Sequence, residues 1–206
     1  LIDPGLSGKG AYKLAAIRKE GIDLSHSKRV IMTHTHLDHM GAFSEIKKEI
    51  PAVELWVQKK EADPLEAGDD QAVYGMNEFK GMCQMQFGLK PGAFTLPVQR
   101  KLEGSETLEI GDMVWDVLFI PGHSMGGIGL YNPVHEILIP GDVIYADSAI
   151  GRFDLYGASG PELKASLLKL ADLTITILLP GHNQVVGNLP AGYVTQVVKM
   201  WGPYLA

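Results

Sequence analysis

Three features of the sequence predict an α/β fold. Short apolar strands alternate with amphipathic helical stretches along the chain, the pattern of layered α/β architecture. Apolar residues make up 46% and charged residues 20%, which supports a sizeable core and argues against global disorder. The length of 206 residues suits a single domain, and one domain over 1–206 is expected.

The elements follow in order. Leu1 to Asp3 reads as a short strand ending at the Pro4-Gly5 turn. The chain opens without Met, as if on a strand already under way, so upstream strand residues are expected. Leu14, Ala15 and Ile17 share one face of a helix over Gly10 to Glu20. Val30 to Thr33 is a β-prone run. Phe43, Ile46 and Ile50 mark a helix over Gly41 to Ile50, stopped by Pro51. Val53 to Val57 alternates as a strand does. The segment 59–97 carries the weakest pattern and reads as a lid or insertion. Within it Gln71 to Phe87 is helix-compatible and Met-rich, either a packing element or a cover that adapts its shape. Strands follow at Thr107 to Ile110 and Met113 to Ile120, around the hairpin signal Gly111-Asp112. Further strands are Gly127 to Tyr131, Glu136 to Ile139 and Ile175 to Leu179. Helices are expected at Pro161 to Leu170, with Pro161 in its first turn, and at Ala191 to Trp201.

Composition narrows the function. The formal net charge of -6 removes the general attraction that nucleic-acid binding uses, so no nucleic-acid partner is expected. No apolar run reaches the ~18 residues of a membrane span, so no membrane partner is expected either, and a cytoplasmic location follows as the working expectation. The single cysteine, Cys83, forms no internal disulfide and stands apart from every motif below. It reads as an incidental or buried residue.

The chemistry is concentrated in Thr33-His34-Thr35-His36-Leu37-Asp38-His39. Four side chains of metal-ligating type fall within six residues. Imidazole nitrogen and carboxylate oxygen are the donors that Zn²⁺ accepts at ~2.0–2.2 Å. On an extended segment His34 and His36 point the same way, while a turn at Asp38-His39 presents the second pair. Three later segments share one device, an apolar strand running into a Pro-Gly turn and then a ligand-type residue. They are Phe119-Ile120-Pro121-Gly122-His123, Leu138-Ile139-Pro140-Gly141-Asp142 and Leu178-Leu179-Pro180-Gly181-His182. Rigid scaffolds commonly offer catalytic groups on loops in this way. Ser124, next to His123, reads as a hydrogen-bonding neighbour of a ligand.

Taken together, these segments resemble the metallo-β-lactamase superfamily over nearly the whole chain. The opening Leu1-Ile2-Asp3-Pro4-Gly5 is similar to the family's first strand and turn. The resemblance implies a four-layer αββα sandwich. It also implies two divalent metal ions, with Zn the expected metal and Fe or Mn as alternatives. By analogy His34, His36 and His123 hold one ion, Asp38, His39 and His182 hold the other, and Asp142 bridges them. Asp142 and the absence of a suitably placed cysteine separate the chain from the β-lactamases proper. His36 separates it from the diiron flavoproteins, which carry Glu there.

Within the family the segment from Asp142 to Leu170 resembles compact glyoxalase II-like proteins. That implies hydrolysis of a small-molecule thioester or ester by a metal-bound hydroxide, with Asp38 orienting the nucleophile and handling the leaving-group proton. The residues after His182 are too few for the helical extension that binds glutathione in full-length glyoxalase II, so glutathione specificity is not implied. Tyr145, three residues after Asp142, resembles the tyrosine with which acyl-homoserine-lactone lactonases bind the substrate carbonyl; a packed strand tyrosine is the alternative. Arg152, in Gly151-Arg152-Phe153-Asp154, reads either as a site for a substrate carboxylate or as the partner of Asp154. A lactonase, and a persulfide dioxygenase using a single iron, are the competing activities. An RNase Z-type nuclease fits poorly with the acidic charge. Self-association into a homodimer is left open.

Overall fold

Val30, Ile31, Leu55, Trp56 and Val57 are all buried, the pattern of strands covered on both faces that parallel sheets require. They belong to β1 (Arg29–Ile31) and β2 (Glu54–Gln58), which with β3 (Arg100–Leu102) form a three-stranded parallel sheet in the order β1-β2-β3. The computed structural model describes residues 1–205. These divide into two compact units, Leu1–Leu102 and the chain from Glu103 onward.

In the first unit, α1 (Gly10–Lys19) precedes β1. Then come α2 (Leu37–Met40) and α3 (Phe43–Glu49), and after β2 come α4 (Lys59–Ala67), α5 (Gln71–Tyr74) and α6 (Asn77–Phe87). Parallel pairing needs such crossovers. Leu14, Val30, Met40, Ile46, Leu55 and Leu65 meet in one core, so helices and sheet share it. The N-terminal segment joins the sheet, with Ile2 bridging Ile31 in parallel.

The second unit holds β4 (Thr107–Ile110), β5 (Met113–Phe119), β6 (Ile128–Asn132), β7 (Ile137–Ile139) and β8 (Ile177–Leu178), ordered β4-β5-β6-β7-β8. Neighbours are antiparallel until β7 and β8, which are parallel. That parallel pair requires a crossover, and α7 (Gly160–Ala171) supplies it. Ser159 caps α7 by accepting from Glu162 N–H, and Pro161 lies in its first turn, as its fixed φ favours. The helix α8 (Tyr193–Trp201) closes the unit. Ile120, Leu138, Leu163, Leu167 and Val197 share the second core. The two-residue turn at Gly111-Asp112 is present, with Ile110 opposite Met113 and Gly111 at φ 67.

Several elements differ from the sequence expectation. The helix expected over Gly41 to Ile50 is present as α3, Phe43–Glu49, and a further short helix, α2, precedes it within the His-rich segment from Leu37. The helix over Gln71 to Phe87 breaks at Gly75, whose φ of 70 ends α5. The Met-rich α6 has no fully buried residue; Met82 is 53% and Met85 87% exposed, and the helix packs at the margin of the first core through Cys83 and Phe87. Cys83 is half-buried against the first core. The helix α4 has an internal proline, Pro64, and few apolar positions, so its period is hard to read. The edge strand β3 carries Arg100 and Lys101, charges that suit an exposed edge and hide the strand pattern. Among the described residues no helix is long and apolar enough to cross a membrane.

Candidate metal centre

In the first unit the His-rich segment leaves the end of β1 and turns into α2 at His36, the residue before the helix. The turn is tight. A Cβ on Gly41 would lie 2.5 Å from the Leu37 carbonyl and 2.6 Å from Ser7 N, so only glycine fits. Asp3 organises the segment. Its Oδ1 accepts from Thr33 N–H at 2.7 Å and its Oδ2 accepts from the Thr33 hydroxyl at 2.6 Å. The same Oδ2 accepts from His39 Nδ1–H at 2.9 Å. Because the Thr33 hydroxyl donates to Asp3, it accepts from His34 Nδ1–H at 3.0 Å. One carboxylate thus sets the tautomer of two histidines, with the proton on Nδ1 and the lone pair on Nε2, the arrangement that suits a metal ligand. His34 and His39 rings are 4.1 Å apart and His34 and His36 rings 4.7 Å apart, centroid to centroid. Donor atoms of Asp3, His34 and His39 lie within 4.8 Å of one another. Asp3 is better read as the support than as a ligand, since both its oxygens are taken by Thr33 and His39. Asp38, half-exposed, holds Oδ2 4.0 Å from His39 Nε2.

Two further groups lie behind this segment. Glu61, 1% exposed, accepts from Thr35 N–H at 2.6 Å, between His34 and His36. Lys13 Nζ donates to the Asp3 carbonyl. Burial pushes the Lys13 ammonium below its ordinary range, against the pull of the Asp3 charge.

In the second unit, strand register brings the ligand-type residues together. Leu138 pairs with Leu178 across β7 and β8, and Asp142 and His182 each stand four residues beyond that pair. Gly181 N–H donates to the Gly141 carbonyl at 2.9 Å, tying the two Pro-Gly turns. Asp142 Oδ2 ends 3.1 Å from His182 Nε2 and 3.6 Å from His123 Nε2. His123 Nδ1–H donates to the Arg152 carbonyl at 2.7 Å. The three turns share a sequence but not one backbone: Gly122 and Gly141 have φ of 122 and 56, whereas Gly181 is not left-handed. A Cβ on Gly122 would lie 2.1 Å from Leu163 N, so the Pro121-Gly122 turn packs directly on α7.

Tyr145 sets its ring edge-to-face on His182, centroids 5.9 Å apart. Arg152 makes a bidentate pair with Asp154, at 2.9 and 2.8 Å, on the surface. The Asp154 hydrogen bonds hold the guanidinium above its ordinary range, and Arg152 holds the Asp154 carboxyl below its own. Ser124 is buried, and its hydroxyl has no hydrogen-bond partner among the described residues. Neither Asp3 nor Glu61 is among the residues singled out from the motifs. Asp3 had a signal, since Ile2-Asp3-Pro4-Gly5 is another apolar strand running into Pro-Gly. Glu61 had none, being one charge in a charged stretch.

The donor chemistry of both units is imidazole and carboxylate, which suits Zn, Fe, Mn and Co alike. Residues 1–182 match the family model described as Metallo-beta-lactamase superfamily. The "Probable metallo-hydrolase YqgX" of Bacillus subtilis is 30% identical over 186 residues, covering 88% of this chain and 78% of that protein. The "Hydroxyacylglutathione hydrolase GloC" of Haemophilus influenzae is 29% identical over 193 residues, covering 91% and 82%. The "Acyl-coenzyme A thioesterase MBLAC2" of Gallus gallus is 29% identical over 177 residues, covering 81% of this chain and 62% of its own. Among solved structures, the BLEG-1 B3 metallo-beta-lactamase aligns with TM-score 0.72 and 27% identity over 90% of this chain and 81% of its own. TTHA1623, solved in a di-iron-bound form, aligns with TM-score 0.69 and 27% identity over 95% and 86%. With a family model spanning most of its length and an α/β fold of two sheets with flanking helices, the chain belongs to the metallo-β-lactamase superfamily.

Proposed function

We propose that the chain is a dinuclear metal-dependent hydrolase that cleaves a thioester or ester of a small molecule. The observation that carries this reading is Asp142, whose Oδ2 stands between His123 Nε2 and His182 Nε2, the place for a carboxylate shared by two ions. In this reading His34, His36 and His123 hold one ion, Asp38, His39 and His182 hold the other, and Asp142 serves both. Two divalent ions held there supply a water of lowered pKa and an electrophile for a carbonyl. Similarity to GloC and MBLAC2, named for glutathione and coenzyme A thioester substrates, favours a thioester.

The chain's own residues divide the remaining work. Asp38 stands on the first turn of α2 with its carboxylate half-exposed, where it can orient a water and carry a proton to the departing thiolate. Hydrolysis consumes one water and gives a carboxylate and a thiol. The Tyr145 hydroxyl hydrogen-bonds the substrate carbonyl, and the packing of its ring on His182 also suits a lactone carbonyl, the second reading. Arg152 binds a substrate carboxylate only by exchanging Asp154 for it.

The test is the metal content of protein purified without added metal, with activity measured on the same sample against a glutathione thioester, an acyl-coenzyme A, an acyl-homoserine lactone and glutathione persulfide. About two metal ions per chain with thioester turnover supports the reading. Preference for the lactone selects the second reading. One iron per chain with oxygen consumption on the persulfide overturns both.

A further inference from the structure

We infer that Tyr193 and Trp201, on the last helix, are positioning residues that hold the loop after Asp142 so that Tyr145 meets the substrate. The inference rests on the proposed role of Tyr145 at the substrate carbonyl.

The loop from Asp142 to Arg152 touches every ligand-type residue of the second unit. It starts with Asp142 itself. Its Arg152 carbonyl accepts from His123 Nδ1–H at 2.7 Å. Its Asp147 carboxylate accepts from Asn183 Nδ2 at 3.1 Å, next to His182. Tyr145 lies on His182. The loop closes on itself through the Ile144–Ile150 bridge and the bond from Tyr145 N–H to the Ala149 carbonyl at 3.0 Å.

At its tip Ser148 sits at φ 64, a left-handed conformation that is unfavourable for a non-glycine residue. Such a conformation persists only when its surroundings fix it. Here the fixing groups come from α8. The Tyr193 hydroxyl accepts from Ser148 N–H at 2.7 Å and donates to the Tyr145 carbonyl at 2.5 Å. Trp201 Nε1–H donates to the Ser148 carbonyl at 2.8 Å. Both backbone groups of the strained residue are therefore held by side chains of one helix. Tyr193, Val197 and Trp201 recur every four residues, which places them on one face, and the fully buried Val197 anchors that face in the core. The Tyr193 hydroxyl thus bonds the backbone of the very residue whose ring packs on His182. A misplacement of ~1 Å in a substrate-positioning group can cost ~100-fold in rate, so this tie bears on chemistry as well as stability.

The test is a double-mutant cycle on a thioester substrate with Y193F, Y145F and the double variant, using metal-loaded protein. Y193F removes both hydrogen bonds and keeps the ring. We expect Y193F to lower kcat roughly tenfold with metal content unchanged, and the double variant to be no slower than Y145F alone. W201F should give a smaller loss in the same direction. Val194→Ala, on the same helix but outside the tie, should lower Tm and leave kcat and KM unchanged. Multiplicative losses in the cycle, or an equal loss in V194A, would overturn the inference. The His182 ring-proton shifts give a readout free of turnover. They should move in Y193F because the Tyr145 ring moves, and unmoved shifts overturn the inference even if Y193F is slow. If the wild-type protein hydrolyses no thioester or lactone, the proposed reaction fails, and these shifts still decide the tie.

Discussion

Asp3 Oδ2 accepts from His39 Nδ1 at 2.9 Å and from the Thr33 hydroxyl at 2.6 Å. Since Thr33 in turn accepts from His34 Nδ1, one carboxylate oxygen governs the two rings proposed as metal ligands. Asp3→Asn keeps the volume but presents an amide that cannot accept at every point the carboxylate does. Groups that orient metal-bound histidines typically contribute ~10–100-fold to affinity. Asp3→Asn should therefore weaken metal binding by that range, read by chelator competition. Unchanged affinity would show that backbone geometry alone sets the two rings.

Gly151 allows the second unit no slack. A Cβ there would lie 1.9 Å from the Asp142 carbonyl and 2.7 Å from His123 Nδ1. Neither is the far end of a flexible side chain, so Gly151→Ala must move the backbone beside Asp142 and His123. The expected cost is about 1–3 kcal/mol of stability together with loss of metal retention. Thermal unfolding with and without added Zn measures both, and metal should rescue Tm far less than in wild type. Equal rescue would show that the loop adapts.

What the sequence reveals follows from where each signal lies. Asp142 and His182 are legible because each follows a buried strand by a Pro-Gly turn, and the Leu138–Leu178 register carries that spacing into space. His34, His36, Asp38 and His39 are legible because four ligand types crowd one segment. Supporting groups leave no such trace. Glu61 bonds Thr35 N–H across 26 positions of sequence, and Tyr193 reaches Ser148 across 45; contacts of that range have no local pattern. The helices of 59–97 are obscured for another reason. Pro64 lies inside one, Gly75 divides the next stretch, and the apolar Met82 and Met85 of α6 are exposed while its half-buried face includes the polar Lys80 and Gln84, which blurs the period.

Cys83 is the lone thiol, and burial, then the Asp38 carboxylate, raise its pKa above the ordinary value. A raised pKa leaves less thiolate at neutral pH, and the thiolate is the reactive form. Alkylation by iodoacetamide at pH 7.5 should be slower than for a free cysteine and should accelerate on unfolding. Cys83→Ser should hydrolyse substrate within about twofold of wild type, because it nearly conserves the side chain's size and leaves the Asp38 carboxylate in place. Loss of activity in Cys83→Ser with metal content intact would give the thiol a role that its placement does not suggest.

Glu106 offers the clearest pH dependence. Its carboxylate accepts from the N–H groups of Glu103 at 2.6 Å, Gly104 at 2.8 Å and Ser105 at 3.0 Å. Burial alone would push this carboxyl up, but the backbone N–H groups of Glu103, Glu106, Gly104 and Ser105 together outweigh it and hold it below the ordinary range. A folded-state pKa below the unfolded one means that the unfolded chain binds the proton more readily. The stabilisation is therefore complete above the unfolded value of about 4.3 and disappears as pH falls through the depressed folded value. The turn has no alternative arrangement close by, since Gly104 sits at φ 92 with its Cβ position 2.6 Å from Phe119 Cβ. Glu106→Gln should cost about 1–2 kcal/mol at pH 7, measured by urea unfolding. The difference from wild type should begin to shrink as the pH falls through about 4.3 and go on shrinking towards the depressed folded value. A difference that stays constant from neutral to acid pH would mean that the shape of the side chain, rather than its charge, holds this turn.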